Sequence, residues 1–196
     1  MAKLYFRYGV MGSSKSAQAL ITKFNYEEQG MRVWLMKPAA DTRYGADKVH
    51  SRIGLEQPAD VIDDDMDLYE VFRDREREFY DVIIVDEAQF LQPAHVEQLR
   101  EIVDYYNVPV FCFGLRTDFR TRLFPGSARL FELADSVTEL KTVCTCGGKA
   151  MVNARIDAEG RVVTEGEQFL LGGNERYRPM CYKCWKKAAL ESKSEK

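Results

Sequence analysis

The chain has 196 residues, 45% of them hydrophobic and 12% aromatic, with 28 Lys and Arg against 31 Asp and Glu for a formal net charge of −3. That supplies enough apolar material for one full domain and a small appendage, and the mild acidity argues against a generic nucleic-acid binder. No apolar run approaches bilayer-spanning length and the chain opens on a strand-like run instead of a leader, so the expectation is a cytoplasmic protein without a membrane partner.

In chain order, Lys3 to Tyr8 reads as an apolar strand running into Gly9, Val10, Met11, Gly12, Ser13, Ser14, Lys15 and Ser16. This fits the phosphate-loop pattern G-x-x-x-x-G-K-[ST] with Ser14 in place of the second glycine. Loop and helix N–H groups would converge on phosphate oxygens, the lysine would add a positive charge, and the serine hydroxyl would hold Mg²⁺. If position 14 needs a positive φ, serine carries a strain cost there. Taken alone, the segment is also compatible with a plain Gly/Ser turn.

Lys15 to Glu28 reads as a helix closed by Gly30, Arg32 to Lys37 as a second strand, and Pro38 to Gly54 as a polar loop. Asp63 to Phe79 reads mostly as helix, with Leu68, Val71 and Phe72 at helical spacing. Val82 to Val85 is a β-branched run suited to a strand buried on both faces, ending in Asp86-Glu87. Carboxylates at the C-terminal end of such a strand form a Walker B arrangement, with Asp86 toward Mg²⁺ and Glu87 as base or water-positioner. Together the two motifs point to a P-loop NTP-binding fold.

Pro93 suits the first turn of a helix reaching about Tyr106, Val108 to Phe113 reads as another buried strand, and Ser136 to Lys141 as the last strand of a mostly parallel sheet flanked by helices. The composition changes near residue 143, which divides the chain into 1–142, a smaller unit 143–190 and a frayed tail 191–196. Ala154 to Val163 reads as a hairpin around Glu159-Gly160, and helical periodicity returns only at Trp185. Cys144, Cys146, Cys181 and Cys184 form a C-x-C and a C-x-x-C pair, enough thiolates for a closed structural zinc site, although reduced free thiols remain the alternative. Cys112 lies in an apolar strand and reads as an inert core residue, and His50 and His95 are assigned no role.

Five segments in order now carry a resemblance: GVMGSSKS (9–16), DTRYG (41–45), VDEAQF (85–90), GLRTDF (114–119) and LLGGNERYRPMC (170–181). The chain resembles the zinc-containing thymidine kinases, those with a RecA-like core, and the likeness leans toward their bacterial members. It departs from them at Gly12 (usually Asn), at Ser14 (commonly Gly) and in the C-x-C pair (more usually C-x-x-C). The resemblance implies ATP-dependent phosphorylation of thymidine, and of deoxyuridine, at the 5′-hydroxyl for pyrimidine salvage. Glu87 would then be the general base. ATP and Mg²⁺ would be held by Gly9 to Ser16, Arg43, Asp86, Glu87, Ala88 and Gln89. Phe90, Phe119, Gln168, Phe169, Leu170, Leu171, Gly172 and Tyr177 would bind the nucleoside, partly through a lasso-like loop, and Cys144, Cys146, Cys181 and Cys184 would bind structural Zn²⁺. A homotetramer, feedback inhibition by thymidine triphosphate and no nucleic-acid partner are implied as well. If the zinc anchors that loop, chelation should weaken nucleoside binding more than ATP binding.

Overall fold

The computed structural model describes residues 1–42, 45, 47–74, 80–169 and 176–194. In chain order the elements are β1 (Leu4–Tyr8), α1 (Lys15–Glu27), β2 (Val33–Pro38), β3 (Lys48–His50), β4 (Glu56–Pro58), β5 (Asp60–Ile62), α2 (Leu68–Asp74) and β6 (Val82–Val85). A 3-10 turn (Ala88–Phe90) follows, then α3 (Pro93–Tyr106), β7 (Val110–Gly114), α4 (Pro125–Leu133), β8 (Ser136–Glu139), β9 (Val152–Ile156), β10 (Val162–Val163), β11 (Tyr177–Met180) and α5 (Tyr182–Ser194).

Six strands form one sheet in the order β5-β2-β6-β7-β1-β8, and every neighbouring pair in it is parallel. Alternation along the strands divides the apolar side chains between two cores. Leu4, Phe6, Trp34, Met36, Ile83, Val85, Val110 and Cys112 pack under α2, α3 and α4. Leu35, Val82, Ile84, Phe111 and Phe113 face Ala19 and Leu20 of α1 on the other side. Each fully buried aliphatic or aromatic side chain contributes about 1.5–3 kcal/mol, and burial on both faces is why β6 and β7 read as unbroken apolar runs. Burial also pushes the Cys112 thiol well above the usual range, in keeping with an inert core residue.

Several elements differ from the sequence reading. The stretch read as a loop from Pro38 to Gly54 contains β3, which pairs antiparallel with β4, and β5 then adds an edge strand beside β2. The helix expected over 63–79 begins only at Leu68, because the Asp67 carboxylate accepts the Glu70 N–H at 2.9 Å and caps it there; 75–79 lie outside the described residues. Strand β7 starts at Val110, after Pro109, which has no N–H to offer the ladder. Helix α4 has no counterpart in the sequence reading, and α5 begins at Tyr182 and extends to Ser194, past the end expected near Ala189.

The cysteine-bearing part builds a second, antiparallel sheet in the order β10-β9-β11. The predicted hairpin is present: the Asp157 carboxylate accepts the N–H groups of Glu159 (3.1 Å) and Arg161 (2.8 Å) and fixes the turn between β9 and β10. Among the described residues, no helix is long and apolar enough to cross a membrane.

Candidate active site

Because the large sheet is parallel, the C-terminal ends of β1, β2, β6 and β7 open on one edge. This is the edge where open α/β sheets bind ligands. It carries the loop after β1, Lys37 and Asp41 after β2, Asp86-Glu87 after β6, and Leu115 to Phe119 after β7.

The first loop is held tightly. Gly9 donates its N–H to the Gly114 carbonyl at 3.2 Å, and a Cβ on Gly9 would lie 2.4 Å from both the Leu140 carbonyl and Ser13 Oγ. Only glycine fits this close crossing of β1 by its neighbours. Gly12 (φ 80°) and Ser14 (φ 59°) are both left-handed, and Ser14 makes no side-chain cap on α1. The serine therefore carries the strain anticipated for it, on the order of 1–2 kcal/mol, at the point where the loop enters the helix. Lys15 is only 8% exposed, and its ammonium donates to the Val10 carbonyl (2.9 Å) and Ser13 Oγ (3.4 Å).

A cleft of about 300 Å³ lies over this loop, lined among others by Gly12, Ser14, Lys15, Ser16, Asp86 and Glu87. Four further basic groups reach it that the sequence did not single out: Lys37, Lys48, His50 and Arg52, three of them from β3 and the turn after it. Lys37 is buried and paired with Asp41 at 3.0 Å. His50 Nδ1 lies 3.4 Å from Glu56 Oε2. A positively lined cleft over a helix N-terminus suits a polyphosphate.

Asp86 is 3% exposed and its Oδ1 has no hydrogen-bond partner among the described residues. Burial, with the neighbouring Glu87 charge second, pushes its carboxyl up to about 7, against a hydrogen bond from Ser16 and the charge of Lys15. An orphaned buried carboxylate oxygen beside a serine hydroxyl fits a divalent cation such as Mg²⁺. Since the folded-state value lies above the ordinary 3.8, the native state binds the extra proton between about pH 4 and pH 7. The stability associated with Asp86 therefore falls as pH rises through that window and stays low above it. Asp86→Asn is expected to raise the melting temperature of the ligand-free protein at pH 8 by several degrees, about 1–3 kcal/mol for the buried charge removed, and to flatten the pH dependence. Thermal unfolding between pH 5 and pH 8 checks this, and a lower melting temperature at pH 8 counts against it.

Glu87 sits at φ 50° and ψ 35°, a left-handed position for a non-glycine residue. The Gln89 amide donates to its Oε2 at 2.5 Å, while Gln89 Oε1 accepts the Leu115 N–H at 2.9 Å. Beyond it a second, mostly apolar pocket is lined by Phe90, Phe119, Phe124, Gln168, Phe169 and Tyr177, with Thr117, Asp118 and Asn153 as polar groups. Phe90 packs edge-on against Phe169 (centroids 4.6 Å apart) and Phe124 (5.8 Å). Met11, Glu87 and Leu115 line both cavities, so the Glu87 carboxylate stands on their common wall.

Of the residues proposed from sequence, Gly9, Val10 and Ser13 shape the phosphate loop without lining the cleft, and Ala88 and Gln89 form the 3-10 turn that follows Glu87, also away from the cleft. Arg43, Leu170, Leu171 and Gly172 lie outside the described residues. Asn153 and Arg155 on β9 were missed, since a polar residue in a short hairpin strand gives no signal of its own. Asn153 Oδ1 accepts the Met11 N–H at 2.7 Å and its amide donates to the Thr117 carbonyl at 3.3 Å, tying the phosphate loop to the second sheet. His95 turns out to cap α3: its Nδ1 accepts the Gln92 N–H at 3.3 Å.

The Sγ atoms of Cys144, Cys146, Cys181 and Cys184 all lie within 4.8 Å of one another, and Cys146 and Cys181 are 3.7 Å apart. Zinc–sulfur bonds of about 2.3 Å in a tetrahedron place sulfurs about 3.8 Å apart, so the set fits zinc. Backbone N–H groups of Cys146 and Cys181 lower the Cys144 thiol to about 6. Cys184 is pushed up to about 12 by its Cys181 and Cys146 neighbours. A shared cation would let all four ionise together.

The thymidine kinase family model matches residues 2–185. A thymidine kinase of Salmonella paratyphi A is 46% identical over 192 residues, covering 97% of this chain and 94% of that one. A thymidine kinase of Escherichia coli K12 is 46% identical over 189 residues, covering 96% and 92%. Among solved structures, the Legionella pneumophila ATPase DotB overlaps at a TM-score of 0.39 with 14% identity, covering 76% of this chain and 43% of that one, a likeness too loose to decide anything.

Proposed function

The chain belongs to the thymidine kinase family, and from that premise we propose that it transfers the γ-phosphoryl group of ATP to the 5′-hydroxyl of thymidine. The observation that carries this reading is the position of Glu87 on the wall shared by the phosphate cleft and the apolar pocket. A nucleoside in the second pocket would direct its hydroxyl past this carboxylate toward a polyphosphate in the first.

Glu87 accepts the hydroxyl proton as the new O–P bond forms, and the bond from the γ-phosphorus to the ADP oxygen breaks in line. Lys15 and the N–H groups of the loop orient the phosphates and offset their charge, with Arg43 as a further candidate. Asp86 and Ser16 would hold Mg²⁺, which supplies charge neutralisation on the phosphates. Phe90, Phe119, Phe169 and Tyr177 would enclose the base and keep water from the transfer, with Leu170, Leu171 and Gly172 completing the nucleoside site. Zn²⁺ on the four cysteines would be structural, all its positions being filled by protein. Deoxyuridine belongs in the same reading, because one methyl in an apolar pocket discriminates by only about 1–3 kcal/mol. A homotetramer, inhibition by thymidine triphosphate and a role in pyrimidine salvage rest on family membership. Reduced, paired cysteines suit a cytoplasmic setting.

The test is ADP formation from MgATP with thymidine, deoxyuridine, deoxycytidine and purine deoxynucleosides added in turn. Turnover that depends on thymidine and deoxyuridine is the expected result. Nucleoside-independent turnover would instead indicate a P-loop ATPase, and ATP binding without turnover a nucleotide-sensing module.

A further inference from the structure

Arg155 on β9 is 5% exposed and lines neither the phosphate cleft nor the apolar pocket beside it. Its guanidinium carbon stands 3.7 Å from the centroid of the Phe119 ring. Its Nη2 and Nε donate to the Tyr177 hydroxyl at 3.0 and 3.3 Å, and Nη2 also reaches the Gln168 carbonyl at 3.4 Å. Phe119, Tyr177 and Gln168 come from three separate stretches of chain, and all three line the apolar pocket. Among the described residues no carboxylate pairs with Arg155.

A buried guanidinium is costly to keep unless its donors are used. Packing β9 against Phe119 would need only an apolar side chain. What an apolar residue cannot do is offer a planar face to an aromatic ring while its edge donates to a phenol and a carbonyl, and lysine lacks that planar fork too. Two residues back on the same face of β9, Asn153 braces Met11 of the phosphate loop. The same strand thus holds the phosphate loop with one side chain and the apolar pocket with the other.

We infer that Arg155 is the positioning residue of the nucleoside pocket: it fixes the Phe119 ring from outside and clasps residues 168 and 177 to it before the nucleoside arrives. This rests on the proposed reading of that pocket as the thymidine site. Arg155 does not line the pocket; it acts through the three groups it holds.

The experiment compares wild type with Arg155→Met and Arg155→Lys. It measures KM for thymidine and for ATP, and hydrogen exchange of the peptide spanning 165–180. Zinc content and circular dichroism report whether the variants fold. Misplacing pocket groups by about 1 Å costs up to about 100-fold, so Arg155→Met is expected to raise the thymidine KM at least about tenfold, with the ATP KM within about twofold. Exchange in 165–180 should quicken. Arg155→Lys should recover little of this, because it restores charge without the fork. A lysine variant matching wild type, equal rises in both KM values, unchanged exchange, or loss of the fold in both variants would each overturn the assignment. Wild-type turnover that ignores thymidine would instead refute the function reading, while the exchange data would still judge Arg155.

Discussion

Glu87→Gln is expected to lower kcat by about 10²–10⁴-fold, the range of a general base, while KM for thymidine and ATP shifts by less than about threefold. Glutamine is nearly isosteric and keeps an oxygen for the Gln89 amide, so the link from Gln89 to Leu115 survives. The left-handed backbone at position 87 costs either residue about the same. A competing explanation for lost activity, weaker cation binding, runs in the wrong direction. The Glu87 charge helps hold the Asp86 carboxyl up near 7, so removing it should make Asp86 easier to ionise and a better Mg²⁺ ligand. The two effects separate in a Mg²⁺ titration: the variant should need no more Mg²⁺ than wild type for half its reduced maximal rate. A kcat within threefold of wild type would remove Glu87 from the base role, and a sharply raised Mg²⁺ requirement would make it a metal ligand instead.

What the sequence disclosed depended on how local the physics was. The β6 strand was legible because burial on both faces demands an unbroken β-branched run, and the phosphate loop because its spacing is tied to the chemistry of phosphate binding. Helix α4 was not, because Pro125-Gly126 at its start has the composition of a turn. Proline there occupies the first helical turn, and Gly126 is required because a Cβ would meet the Leu91 carbonyl at 2.5 Å and the Ala88 carbonyl at 2.8 Å. That reason lies in a contact across the fold, not in the helix itself. Strands β3 to β5 are three residues each and partly exposed, too short for alternation to show. The cysteine pairs and Phe90, Phe119 and Tyr177 were found through their segments, whereas Arg155 and Asn153 acquire meaning only when β9 is set against the loop after β7 and the loop after β1. The Ser14 strain was foreseeable in kind, and its φ of 59° makes it definite.

The same juxtaposition changes what should follow from removing zinc. From the sequence, the cysteines anchor the nucleoside loop, and chelation should weaken nucleoside binding more than ATP binding. In the fold, Val10 of the phosphate loop belongs to the same apolar cluster as Cys144, Ala150, Ala154, Val162 and Met180. The Val10 carbonyl accepts the Lys15 ammonium at 2.9 Å, and Asn153 holds the next residue's N–H. Metal binding by four thiolates is worth about 10–16 kcal/mol in small zinc folds, more than so small an apolar cluster can replace. Loss of the ion should therefore release the second sheet, and Val10 with it. Chelation, or Cys181→Ser, is expected to weaken thymidine binding at least about 100-fold and ATP binding at least about tenfold, on a scale where each tenfold is about 1.4 kcal/mol. Calorimetric titration of each ligand into zinc-loaded and metal-stripped protein reads both numbers. Thymidine should suffer more, because Phe119, Gln168 and Tyr177 are all braced from β9, whereas the phosphate loop keeps its own crossing of Gly9 with Gly114. Full ATP affinity in the stripped protein would mean that Val10 is held by β1 and α1 alone, and that the second sheet serves only the nucleoside.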